Sequence, residues 1–127
     1  MTLSEYFEEN DRGLGVLSTA SSDGAVNSAV YGRPHVIEGG VIAFIMANRR
    51  SLHNLQSNPR ASYLFREERK GYHGKRLMLR KIREEQDTEK VQALRRRRYS
   101  DEEEAAMKPL SLVFFEVVEE RPLVGSF

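Results

Sequence analysis

The stretch Ala43–Pro59, AFIMANRRSLHNLQSNP, concentrates the side chains best suited to chemistry. An apolar run ends at Ala47, two arginines follow, and a hydroxyl then stands where a helix is expected to start. Arginine presents a planar fork of donors that matches phosphate and carboxylate oxygens. A helix N-terminus adds free backbone N–H groups and partial positive charge. Arg49, Arg50 and Ser51, leading into a short helix over 51–57, therefore have the makings of a compact oxyanion site at a strand end. The same residues also fit a plainer role, with Arg49 and Arg50 solvated in a loop and Ser51 acting only as a helix cap. Spacing alone leaves both roles open. Elsewhere His35, His53 and His73 lack metal-ligand spacing and an evident acidic partner. The chain has no cysteine, which removes disulfides, thiolate metal sites and a cysteine nucleophile.

The elements around this stretch follow from periodicity. Leu3, Tyr6 and Phe7 fall at helical spacing, predicting a helix over 2–12 that Gly13 and Gly15 end. Residues 15–20 read as a strand, and Ser21-Ser22-Asp23-Gly24 as a turn. Ala25–Ile37 reads as one long strand in which Pro34 marks an edge or bulge. Glu38-Gly39-Gly40 turns the chain into Val41–Ala47, apolar on both faces and so expected to be central and buried. Asn58-Pro59 stops the short helix, and strands follow over 60–66 and 75–85 around a polar loop at 67–74. Helices over 87–98 and 100–107 precede a last strand at 110–118, which with Phe127 is expected to serve the core or a dimer interface. Six mostly antiparallel strands with few crossover helices predict a mainly β chain, a closed or partly closed barrel with peripheral helices.

The 127 residues suit one domain, 1–127. Hydrophobic residues make up 39 % and charged residues 31 %, too apolar a mixture for disorder. The formal net charge is +1, which weakens the case for a nucleic-acid binder. That neutrality hides a division: residues 1–65 carry net −1, 66–98 net +7 and 99–127 net −5. The Arg95–Arg98 run favours a solvated helix end, neutralised by Asp101–Glu104, over an RNA-binding barrel. The acidic N-terminus does not read as a signal peptide, and the longest apolar run, Val41–Ala47, is far below the ~20 residues of a spanning helix. A cytoplasmic protein with no membrane association is the expectation.

The segment AFIMANRRSLHNLQSNPRASYLF resembles the FMN-binding split-barrel family related to pyridoxamine 5′-phosphate oxidase. Asn54-Leu55, Asn58-Pro59 and Arg60–Phe65 carry the likeness, with Tyr31-Gly32-Arg33-Pro34 upstream and Gly74-Lys75-Arg76-Leu77 downstream. It covers residues 13–85 well and the remainder loosely. The resemblance implies a six-stranded antiparallel split β-barrel, a homodimer, and FMN held at the dimer interface. By position, Arg50 matches a phosphate-binding arginine. Ser51 stands where the family usually has a lysine, and Arg49 would supply the missing cation. Phe44, Ile45, Met46 and Ala47 would border the flavin ring, Tyr31, Gly32 and Arg33 would flank its other side, and Arg76 would reach the cofactor. A cation such as Arg33 or Arg76 would stabilise negative charge on the reduced ring. Asn54 orients the loop rather than touching the ring. The implied activity is an oxidoreductase using a donor such as NAD(P)H on a small-molecule substrate. A non-catalytic flavin, deazaflavin or haem binder is the alternative.

Overall fold

The computed structural model describes residues 1–86, 88–96, 100–107 and 109–125. In chain order the elements are α1 (Leu3–Glu9), β1 (Leu14–Ala20), β2 (Val26–Val30), β3 (His35–Val36), β4 (Val41–Met46), α2 (Arg50–Ser57), β5 (Arg60–Arg66), β6 (Gly74–Glu85), α3 (Thr88–Leu94), α4 (Asp101–Met107) and β7 (Ser111–Pro122). The strands form one antiparallel sheet of order β2-β1-β5-β6-β7-β4-β3. Its two edge strands, β2 and β3, are consecutive in the chain and joined only by residues 31–34. The sheet must therefore curl until its two edges come near each other, without closing. Two register irregularities between β6 and β7, at Met78/Leu79 and Lys81/Arg83, assist the curl, because bulges bend and twist a long strand.

The sheet has seven strands rather than the expected six because the single strand expected over 25–37 is two. Pro34 offers no N–H to a ladder. Upstream of it, the carbonyls of Tyr31 and Gly32 turn inward and both accept from the Tyr63 hydroxyl, at 3.0 and 2.9 Å. The expected helix over 2–12 is shorter, closed at its start by a capping box in which Thr2 Oγ1 accepts from the Glu5 N–H and Glu5 Oε1 accepts from the Thr2 N–H. Tyr6 and Phe7 dock α1 on Phe65 edge to face, at 6.1 and 5.1 Å.

Alternation sorts each strand between two apolar layers. Leu17, Ile42, Phe44, Met46, Tyr63, Phe65, Leu77, Leu79, Val113 and Phe115 fill the barrel. On the outside of β4 and β7, Ala43, Leu112 and Phe114 form a second cluster under Val91 of α3, with Ile45, Leu94 and Leu110 against it. This is why Val41–Met46 is apolar on both faces. The basic middle of the chain has acidic partners at hand: β6 meets β7 through Lys75 with Glu120 and Arg80 with Glu116, while Lys81 pairs with Glu84.

Gly15 stands where the seam is tightest. A Cβ there would lie 1.9 Å from Tyr63 Oη and 2.3 Å from the Tyr31 carbonyl oxygen. Gly15→Ala is expected to cost about 1–3 kcal/mol by overpacking. Tyr63→Phe, which leaves both carbonyls without their donor, should cost about the same. Urea denaturation monitored by circular dichroism measures each.

Candidate functional site

A cavity of about 740 Å³ opens at the seam between the sheet edges. Residues 27–33 form one wall, Phe44, Ile45 and Ala47 of the β4 end another, Arg49–Ser51 a third, and Arg95, Arg96, Met107 and Leu110 a fourth. The sequence candidates Tyr31, Gly32, Arg33, Phe44, Ile45, Ala47, Arg49, Arg50 and Ser51 thus meet in one space. Met46 and Arg76 do not join them. Met46 alternates into the barrel and is fully buried. Arg76 is turned to the C-terminal segment, donating through Nε to the Pro122 carbonyl and through Nη2 to that of Gly125, both at 2.9 Å.

Arg49, not Ser51, is the N-cap residue of α2, and its side chain makes no cap hydrogen bond. No acidic residue lies in the first turn, so the helix start faces the cavity with backbone donors that no side-chain cap takes. Arg49 and Arg50 are exposed beside it. Ser51 is 3 % exposed, and its Oγ accepts from Asn27 Nδ2 at 3.3 Å. Burial raises the Tyr31 phenol, with the Arg49 charge and Ser51 working against it. The helix itself is held by Leu52 and Leu55 in the core and by buried Asn54, which donates to Thr19 Oγ1 at 3.1 Å. Asn54 therefore pins α2 to β1 and does not line the cavity.

The opposite end of the cavity was not apparent from the sequence. His35, Arg95, Arg96 and Asp11 line it along with Arg33. Arg96 donates to the Arg33 carbonyl at 2.7 Å and to that of Pro34 at 3.4 Å. Arg33 donates through Nη1 to the Phe7 carbonyl at 3.0 Å. Arg95 makes two bonds of 2.6 Å to Glu104, with 5 % of its side chain exposed. Arg95 is neutralised by Glu104, as expected, but its side chain is buried rather than solvated, while Arg96 is exposed and donates to the carbonyls of residues 33 and 34; Arg97, Arg98 and Phe127 lie outside the described residues. A cue did exist in the sequence, since Arg95 and Glu104 are near enough in the chain to pair across a helix–helix turn. The contact of Arg96 with residues 33 and 34 spans more than sixty positions and has no local signature.

No family model and no curated protein matches the sequence. Solved structures do match its shape. An FMN-binding protein from Syntrophomonas wolfei superimposes with a TM-score of 0.72 at 17 % identity, covering 98 % of this chain and 91 % of that one. An F420 reductase gives 0.69 at 14 %, covering 91 % and 94 %. A protein from Lactobacillus delbrueckii, proposed to be a pyridoxamine 5′-phosphate oxidase, gives 0.69 at 13 %, covering 95 % and 92 %. The chain has the mainly β fold of these split-barrel proteins. Among the described residues, no helix is long and apolar enough to cross a membrane.

His35 has a testable consequence. Burial and the charges of Arg96 and Arg33 lower its imidazole from 6.5 to about 4. The native state then resists a proton that the unfolded chain accepts below about 6.5, so His35 costs stability as pH falls from about 6.5 toward 4. Wild type should lose more stability than His35→Gln between pH 7 and 4.5, as urea midpoints at the two pH values will show.

Proposed function

We propose that the chain is an FMN-binding protein of the pyridoxamine 5′-phosphate oxidase-related family, working as an oxidoreductase. The observation that carries this is the adjoining of an uncapped helix start, flanked by Arg49 and Arg50, to a slot walled by Tyr31, Phe44, Ile45 and Ala47. A planar ring with an anionic tail needs both features, an apolar slot and a cluster of donors. The fit is supported by the volume of the cavity and by the likeness to an FMN-binding fold. Arg49, Arg50 and the N–H groups opening α2 would hold the phosphate. Ser51, braced by Asn27, would offer its hydroxyl to the same group. Tyr31 and Phe44, edge to face at 5.8 Å, would set the width of the slot. Arg33 would lie near charge that develops on the ring. The bound flavin would supply two-electron redox chemistry, from a donor such as NAD(P)H to a small-molecule substrate. A deazaflavin is the second reading, favoured by the likeness to the F420 reductase.

The same proposal includes a homodimer. Val30, Val16 and Leu64 lie side by side across β2, β1 and β5, and Val26 and Val30 are 83 % and 73 % exposed. Ser18 and Ser28 pair at 3.1 Å within this face, leaving its centre uncharged. Val30 and Ser28 also line the cavity, so a second copy seated on the face would complete the wall of the site. A patch with an uncharged centre suits the self-complementary contact of a two-fold dimer.

The purified protein should bind FMN, with a shifted flavin spectrum and quenched fluorescence on titration. Arg50→Ala should weaken binding at least tenfold, about 1.4 kcal/mol or more. Titrations in which FMN leaves wild type unchanged, while a deazaflavin binds, would move the proposal to the second reading. Analytical ultracentrifugation should show a dimer that Val30→Asp converts to monomer.

A further inference from the structure

Residues 31–34 connect β2 to β3 outside any ladder, so their backbone groups must find partners of another kind. The four carbonyls have them. Those of Tyr31 and Gly32 accept from the Tyr63 hydroxyl, at 3.0 and 2.9 Å. Those of Arg33 and Pro34 accept from the Arg96 guanidinium, through Nη1 at 2.7 Å and Nη2 at 3.4 Å. Two side chains thus hold four consecutive carbonyls, one from inside the barrel and one from beyond the end of α3. The N–H groups divide differently. That of Tyr31 donates to the Gly15 carbonyl at 3.0 Å, and Pro34 has none. Among the described residues, the N–H groups of Gly32 and Arg33 have no acceptor.

The planar peptide unit fixes where those two donors point. In a trans peptide the carbonyl and the following N–H lie on opposite sides of the chain. The Tyr31 and Gly32 carbonyls point at Tyr63, which is fully buried and forms no part of the cavity wall. The N–H groups of Gly32 and Arg33 therefore point the other way. Both residues line the cavity, and a Cβ at Gly32 would meet no atom within 4 Å. Two free backbone donors on adjacent residues thus face open space beside the slot walled by Tyr31 and Phe44.

Arg96 holds half of this turn from outside the barrel. Its place is set by its neighbour, since Arg95 pairs with Glu104 through two bonds of 2.6 Å and joins α3 to α4. Arg96 itself has no carboxylate within salt-bridge distance among the described residues, so its donors go to backbone and not to an ion pair. A rigid fork of donors suits two successive carbonyls, and a single ammonium does not. We propose that Arg96 is a positioning residue: with Tyr63 it aims the N–H groups of Gly32 and Arg33 into the cavity, where they meet the polar edge of a bound flavin. Donors so placed favour the reduced ring, which carries more negative charge. The α3–α4 excursion thereby sets the redox balance of the cofactor through backbone that it grips. The flavin rests on the function proposed above, whereas the pinned turn belongs to the apoprotein.

Arg96→Ala and Arg96→Lys test this together, because the lysine keeps the charge and loses the fork. In backbone amide NMR spectra of the apoprotein, both variants should shift the Gly32 and Arg33 resonances and leave those of Ser18 and Ser62, in the middle of the sheet, in place. With FMN bound, both should lower the two-electron midpoint potential by about 30 mV or more, a tenfold change in the ratio of reduced to oxidised FMN affinity, while oxidised FMN affinity stays within about threefold. Recovery of the wild-type potential by Arg96→Lys would overturn the proposal, since charge alone would then suffice. Unmoved amide resonances in both variants would overturn it as well, and shifted amides beside an unmoved potential would overturn the action on the flavin. If FMN fails to bind wild type while the amides shift in both variants, the flavin reading falls and the pinned turn stands.

Discussion

The Tyr63 hydroxyl holds the two ends of the sheet together. No ladder joins β2 to β3, and a curled sheet with an open seam exposes unpaired backbone to its own interior. One phenol, fully buried, shares its single O–H between two of those carbonyls. Its ring packs at 4.9 Å on Phe44, so the same residue joins the seam to the barrel core. Gly15 is the counterpart, since only a residue without a side chain lets the hydroxyl reach the carbonyl of Tyr31. Burial keeps the phenol protonated far above neutral pH, so the donor is always present. The cavity depends on this arrangement. Residues 31–33 are one of its walls because Tyr63 holds them away from a regular strand.

Much of the barrel was legible in the sequence because strands obey local rules. The unbroken apolar run at Val41–Met46 marked a strand covered on both faces, as β7 also is from Ser111 to Phe115. The split at residues 31–34 was not legible. Pro34 signalled an interruption, but the acceptor-rich turn is stabilised by Tyr63, 32 positions from Tyr31 and 31 from Gly32. Of the candidate site, the residues contiguous with the β4–α2 turn line one cavity, as their order in the chain led one to expect. Arg76 and Met46 were misplaced because the likeness fixes a strand and not the side to which each residue points. Arg96 was missed because its partners are backbone carbonyls, which carry no residue type.

Charge tells a similar story. The +7 middle and the −5 end of the chain are drawn together by the pairing of β6 with β7, where cation and carboxylate alternate across the ladder. The α3–α4 excursion repeats the pattern through Arg95 and Glu104. Exposed pairs of this kind contribute little stability each. Of the cations that line the cavity, Arg95 is balanced in this way, whereas Arg33, Arg49, Arg50 and Arg96 have no carboxylate within salt-bridge distance among the described residues and set the potential inside it.

The connection between β6 and β7 has an architectural consequence. These strands pair along their lengths from Lys75–Pro122 to Glu85–Leu112, whatever joins them. The excursion between Glu85 and Ser111 can therefore change in length or sequence while the barrel stays, provided an apolar residue still covers Ala43 and Phe114 as Val91 does and a donor still meets the carbonyls of residues 33 and 34 as Arg96 does. Yet that excursion supplies one wall of the cavity. The molecule thus separates a scaffold from a panel laid on it, and a graft of that panel alone offers a route to re-shaping what the cavity accepts.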